Sequence, residues 1–130
     1  MVMSDRIKFE MEFPIKVSQR LLFQYISTPS GLSEWFSDNV NSRGEKFVFI
    51  WDDSEEIAYL VSKKPNDKIK FQWEEDQNSD YFFELKIQFD EITKDVSLIV
   101  TDFAYDEELE QSKMLWSNQV SDLRKVLGSS

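Results

Sequence analysis

Cysteine and histidine are both absent from the 130-residue sequence. Without thiols there is no disulfide framework and no thiolate chemistry. Without imidazole the chain lacks the commonest general base near neutral pH and the commonest transition-metal ligand. A Ser-His-Asp arrangement therefore cannot be assembled around Ser33 or Ser62. The three glycines (Gly31, Gly44, Gly128) are too scattered to cradle a phosphate, which excludes a P-loop and a dinucleotide fingerprint. No apolar run approaches the ~18 residues of a membrane-crossing helix, and Met1-Val2-Met3-Ser4-Asp5 lacks the pattern of a secretory leader. A cytoplasmic protein is expected.

Positive charge is also scarce, with 15 Lys and Arg against 25 Asp and Glu, a net charge of −10. Nucleic acid and anionic membrane surfaces are thereby disfavoured as partners, since both require a basic face. The tightest basic group, Lys63, Lys64, Lys68 and Lys70, straddles a turn and is answered by Glu74, Glu75 and Asp76. It reads as a solvated hairpin. The acidity suits a monomer or weak dimer.

What the chain has in quantity is aromatic side chains: 11 Phe, 4 Tyr and 4 Trp. That is enough for one core, or for a core with an apolar pocket. The length and the absence of repeats or linkers predict one domain over 1–130.

Ile7 to Phe13 alternates strictly, with Ile7, Phe9, Met11 and Phe13 on one side, and predicts a half-buried strand ended by Pro14. Ser18 is placed to cap a helix carrying Leu21, Leu22, Tyr25 and Ile26, which Pro29 stops. Gly31 is expected to permit a sharp turn, with Leu32, Trp35 and Phe36 on a second helix of barely two turns. Asp38 to Glu45 reads as a polar loop. Strands then follow at Phe47–Trp51, Ile57–Ser62, Ile69–Trp73, Tyr81–Asp90 and Val96–Phe103. Their short connections imply antiparallel neighbours. A helix from about Asp106 to Leu127 ends the chain, with Asp106 as its cap and Gly128 as its stop. Leu109, Trp116, Val120, Leu123 and Leu127 form one apolar stripe, which must face the sheet.

This order of elements resembles the helix-grip (SRPBCC) fold of the START-like superfamily. It is most similar to the branch holding the activator homologues of the heat-shock-protein-90 ATPase and the small polyketide-cyclase-like bacterial proteins. The residues that carry the resemblance are Ser18–Ile26, Thr28-Pro29-Ser30-Gly31-Leu32-Ser33-Glu34-Trp35-Phe36, Pro65 ahead of a strand ending in Trp73, and Trp116 followed by Leu123. The resemblance implies an α+β fold: an antiparallel sheet of about six strands curved around a long last helix, with two short helices after the first strand. It also implies a hollow between sheet and helix.

That hollow would be walled by Phe71, Trp73, Phe83, Leu85, Ile87, Phe49 and Trp51 from the sheet and by Trp116, Val120 and Leu123 from the helix. Trp35 and Phe36 would stand at one mouth, and Tyr59, Gln119 or Tyr81 would orient a polar end. The same side chains could instead fill the space. Asp52-Asp53-Ser54-Glu55-Glu56 is acidic but lacks the spacing and central glycine of a calcium loop, so no metal is assigned, and no cofactor. Asp102, set among apolar strand residues, is the one candidate general base. Leu115 and Val126 lie off the helical stripe but are compatible with the core. The preferred reading is non-catalytic binding of a small hydrophobic or amphipathic ligand. The alternatives are a protein-interaction module of the co-chaperone kind with a filled core, and an acid/base enzyme of the cyclase type.

Overall fold

A computed structural model describes residues 5–129. Seven strands form one antiparallel sheet: β1 (Ile7–Pro14), β2 (Asn39–Arg43), β3 (Lys46–Trp51), β4 (Ser54–Lys64), β5 (Lys68–Trp73), β6 (Phe83–Phe89) and β7 (Val96–Ala104). Their order across the sheet is β1-β7-β6-β5-β4-β3-β2. Every pairing follows the chain except β1 with β7. The link from β1 to β2 must therefore cross the whole sheet, and it does so as two short helices, α1 (Gln19–Ser27) and α2 (Pro29–Leu32). The last helix, α3 (Leu109–Leu127), packs on the same face. The expected α+β, curved-sheet architecture is the one observed.

The sheet has one strand more than expected. Asn39–Arg43 is the edge strand β2, and only Val40 in it is buried. A short edge strand needs one anchoring side chain and a row of backbone bonds, so its sequence reads as polar loop. Gly44, at φ +61°, turns it into β3.

Ser18 caps α1, its hydroxyl accepting the Leu21 N–H at 3.1 Å. Thr28 does the same for α2 by accepting from Gly31, and it donates its own hydroxyl to the Gln24 carbonyl at 2.7 Å. Gly31 does not form the sharp turn that the sequence suggested. It lies inside α2, where a Cβ would stand 2.3 Å from the Gln24 carbonyl oxygen and 2.6 Å from the Tyr25 Cα. Close approach of α2 to α1 is what excludes a side chain. α2 is a single turn rather than two, so Trp35 and Phe36 sit beyond it in a turn pinned by N–H bonds to the Leu32 carbonyl.

Asp106 is not the cap of the last helix. It opens a 3₁₀ turn, Asp106–Glu108, and α3 starts at Leu109 with no capping side chain. Its 19 residues span about 28 Å. Gly128 closes α3 in the left-handed conformation at φ 70°, as expected. Trp116, Val120 and Leu123 are buried, whereas Leu115 and Val126 are exposed rather than core. Tyr81 also departs from expectation: β6 begins only at Phe83, and Tyr81 packs edge-on against Phe103 beneath the Arg6 guanidinium.

Candidate functional site

Phe36 occupies the centre of the space between sheet and helix. Its ring lies 5.1 Å from Phe49, 5.6 Å from Phe83 and 5.6 Å from Trp116, centroid to centroid. Behind it, Phe49, Phe71, Phe83, Leu85, Ile87, Val120 and Leu123 are packed against one another with essentially no exposure. These seven, expected along the walls of a hollow, make a solid core. Aromatics at successive inward positions bury ~150–250 Å² each and close the interior.

Space remains at the mouth. A cavity of about 410 Å³ opens between the ends of β3, β4 and β5 and the first half of α3. Phe36, Trp51, Trp73 and Trp116 wall it, Gln119 and Leu115 border it from the helix, and Ser54, Glu56 and Asp102 add polar groups from the sheet. Trp35 is buried beside Phe36 and borders a shallower, more polar hollow next to this one. A larger hollow, about 670 Å³, is at the other end of the sheet and is bordered by Glu12, Lys16, Gln88, Asp90 and Lys94, with no aromatic wall.

Hydrogen bonds fix the mouth. The Phe36 carbonyl accepts from the Trp51 indole at 3.1 Å and from the Gln119 amide at 2.8 Å, so one backbone oxygen ties the α2 turn to β3 and α3. The Trp116 indole donates to the Asp102 carboxylate at 2.9 Å, and the Phe103 N–H donates to its other oxygen at 2.8 Å. Asp102 faces inward on β7, opposite Phe9 of β1. Burial pushes its carboxyl up to about 6, against the pull of the Trp116 and Phe103 donors and of Arg6. On the far side of Trp73 and Asp102 lies a hollow of about 270 Å³ holding Arg6, Asp76, Tyr81, Tyr105 and Glu108. There Arg6 is paired to Asp76 at 2.9 Å, which holds its guanidinium firmly in the charged form.

Tyr59 is corrected: it projects from the opposite face of β4, where its hydroxyl donates to Glu74 at 3.0 Å, so it cannot orient anything in the mouth. Tyr81 borders the adjoining hollow, not the mouth. Ser54, Glu56 and Leu115 were missed. Glu56 had a signal, because it lies two and four residues before the inward Ala58 and Leu60 of the same strand. Leu115 lies one helical turn from Gln119. The acidic run at 52–56 is split between a turn and β4, and among the described residues no group of three or more acidic side chains gathers to hold a metal. Nor, among them, is any helix long and apolar enough to cross a membrane.

The fold and this mouth define a helix-grip protein whose interior is closed and whose opening is aromatic. A model of the START-like superfamily domain matches residues 3–129, and the chain belongs to that superfamily. A Bacteroides fragilis protein of known solution structure is 34% identical, over 95% of this chain and 92% of its own, with a TM-score of 0.68. The Aha1 dimer from Colwellia psychrerythraea is 14% identical, over 93% of this chain and 96% of its own, at a TM-score of 0.78. A Staphylococcus saprophyticus protein is 14% identical, over 94% and 92%, at 0.76. The last two share the fold alone. No curated protein matches the chain.

Proposed function

We propose that this chain binds a small amphipathic molecule, without catalysis, in the mouth between β3–β5 and α3. One observation carries the reading: a cavity of about 410 Å³ walled by Phe36, Trp51, Trp73 and Trp116, with Asp102 and Gln119 at its polar side. That volume falls within the ~300–1,000 Å³ usual for small-molecule sites, and an apolar lining with a few polar groups is their usual character. The ligand is shallow, because the packed rings behind Phe36 leave no deep chamber. The net charge of −10 argues against nucleic acid and anionic membrane as partners and suits a cytoplasmic setting.

Native mass spectrometry and titration with the neutral dye Nile red test the proposal. A retained passenger, or saturable dye binding lost in Trp73→Ala and Leu115→Arg, is expected. Tyr59→Phe serves as the control and should bind as the parent does. An empty protein that takes up no dye would sink the reading.

A second reading has its own observation. Met114 and Leu115, adjacent on α3 and 64% and 58% exposed, put apolar surface beside the mouth that a protein partner could cover. Self-association that is lost in Leu115→Glu would favour it. A monomer at every concentration would remove the second copy as that partner.

A further inference from the structure

Resting on the reading that the mouth binds a small amphipathic molecule, we propose that its polar end is an organic cation, an alkylammonium group held between the aromatic walls and the carboxylates of Asp102 and Glu56.

Most hydrogen-bond donors bordering the cavity are already engaged by the protein. The Trp51 indole and the Gln119 amide donate to the Phe36 carbonyl, and the Trp116 indole donates to Asp102. The Ser54 hydroxyl donates to the Trp51 carbonyl at 3.3 Å. These donors are turned to protein acceptors. Carboxylate oxygens, the Ser54 oxygen, aromatic rings and the neutral N–H groups of Trp73 and Gln119 remain for a ligand, and among the described residues no Lys or Arg borders the cavity. A carboxylate or phosphate headgroup would meet two like charges there without a cation to offset them. An alkylammonium meets rings and carboxylates together, the combination that stabilises a partly desolvated organic cation. The acidic surface as a whole also draws cations toward the site.

The nearest basic group does not reverse this. Arg6 stands in the adjoining hollow, paired to Asp76 at 2.9 Å and 4.4 Å above the Tyr81 ring. The charged groups around Asp102 are Arg6 ahead of β1, Glu75 and Asp76 from the turn after β5, Glu56 from β4 across the cavity, and Glu108 from the turn before α3. Acidic groups outnumber the one guanidinium. Asp102 is ionised in neutral solution and protonates as the pH falls through about 6, so cation affinity should fall over the same interval.

Calorimetric titration in neutral, low-salt buffer with octyltrimethylammonium, octanol and octanoate tests the proposal. The cation should bind about tenfold more tightly than octanol, and octanoate more weakly than either. Glu56→Gln changes an exposed side chain and should weaken the cation about two- to fivefold, and Asp102→Asn about tenfold, in each case more than it weakens octanol. Octanol or octanoate binding as tightly as the cation would overturn the cation proposal and leave the small-molecule reading standing. So would cation affinity indifferent to Glu56→Gln, a variant that does not depend on how Asp102→Asn folds. Failure of all three compounds to bind would instead remove the reading on which the proposal rests.

Discussion

Trp116 donates its indole N–H to Asp102 at 2.9 Å, joining α3 to β7 through a carboxylate that burial holds at about 6. The sign of its effect on stability follows. Asp102 has a higher pKa folded than its ordinary 3.8, so the folded state binds the proton more tightly. Its stabilising contribution is full below a pH of about 4 and is lost as pH rises through about 6. The loss approaches about 3 kcal/mol in the alkaline limit. Asp102→Asn keeps an acceptor for Trp116 and removes that loss. In urea denaturation the variant should gain ~1–3 kcal/mol on the parent between pH about 4 and about 8. An offset that is the same at both pH values would contradict the burial of Asp102.

Phe36 lies within 5.7 Å, centroid to centroid, of the Phe49, Trp51, Phe83 and Trp116 rings. Phe36→Ala should cost about 3–5 kcal/mol, the range for truncating a buried aromatic. The vacated space would extend the mouth inward, so the variant should take up a longer apolar probe than the parent when it is folded. Loss of under about 1 kcal/mol would mean that Phe36 is not the plug between sheet and helix.

Gly31→Ala places a methyl group 2.3 Å from the Gln24 carbonyl oxygen and 2.6 Å from the Tyr25 Cα, both rigid backbone atoms. Ordinary helix propensity favours alanine over glycine by about 1 kcal/mol. Here the clash should dominate, and the variant should be less stable by about 1–3 kcal/mol, read from its denaturation midpoint. A more stable variant would show that α2 can move off α1.

The fold was legible where a side-chain pattern and a backbone pattern coincide. β1 and β6 alternate, α1 has its Ser18 cap, and α3 keeps its Trp116, Val120 and Leu123 stripe. It was not legible in β2, where Val40 is the one buried side chain and backbone pairing with β3 does the rest. Gly31 was identified as special for the wrong reason, because contact between two helices leaves no local mark. At the site, sequence supplied the aromatic walls Phe36, Trp51, Trp73 and Trp116 and the carboxylate of Asp102. It could not say that the rings behind them meet, since whether inward side chains enclose space or fill it depends on sheet curvature and helix distance. Tyr59 was misplaced by one position of a period-two strand, an error that moves a side chain to the opposite face.

The sheet order has a consequence for how the chain is made. β7 stands between β1 and β6, and Ile7 pairs with Ala104. β1 can pair with β7 only once β7 has itself left the ribosome. Until then the Phe9 side of β1 and the inward face of β6 lack the strand that joins them. Closing so distant a pair is slow compared with a local hairpin. The hairpins from β2 to β6 can form in order during synthesis, whereas β7 and α3 can complete the wrap only afterwards.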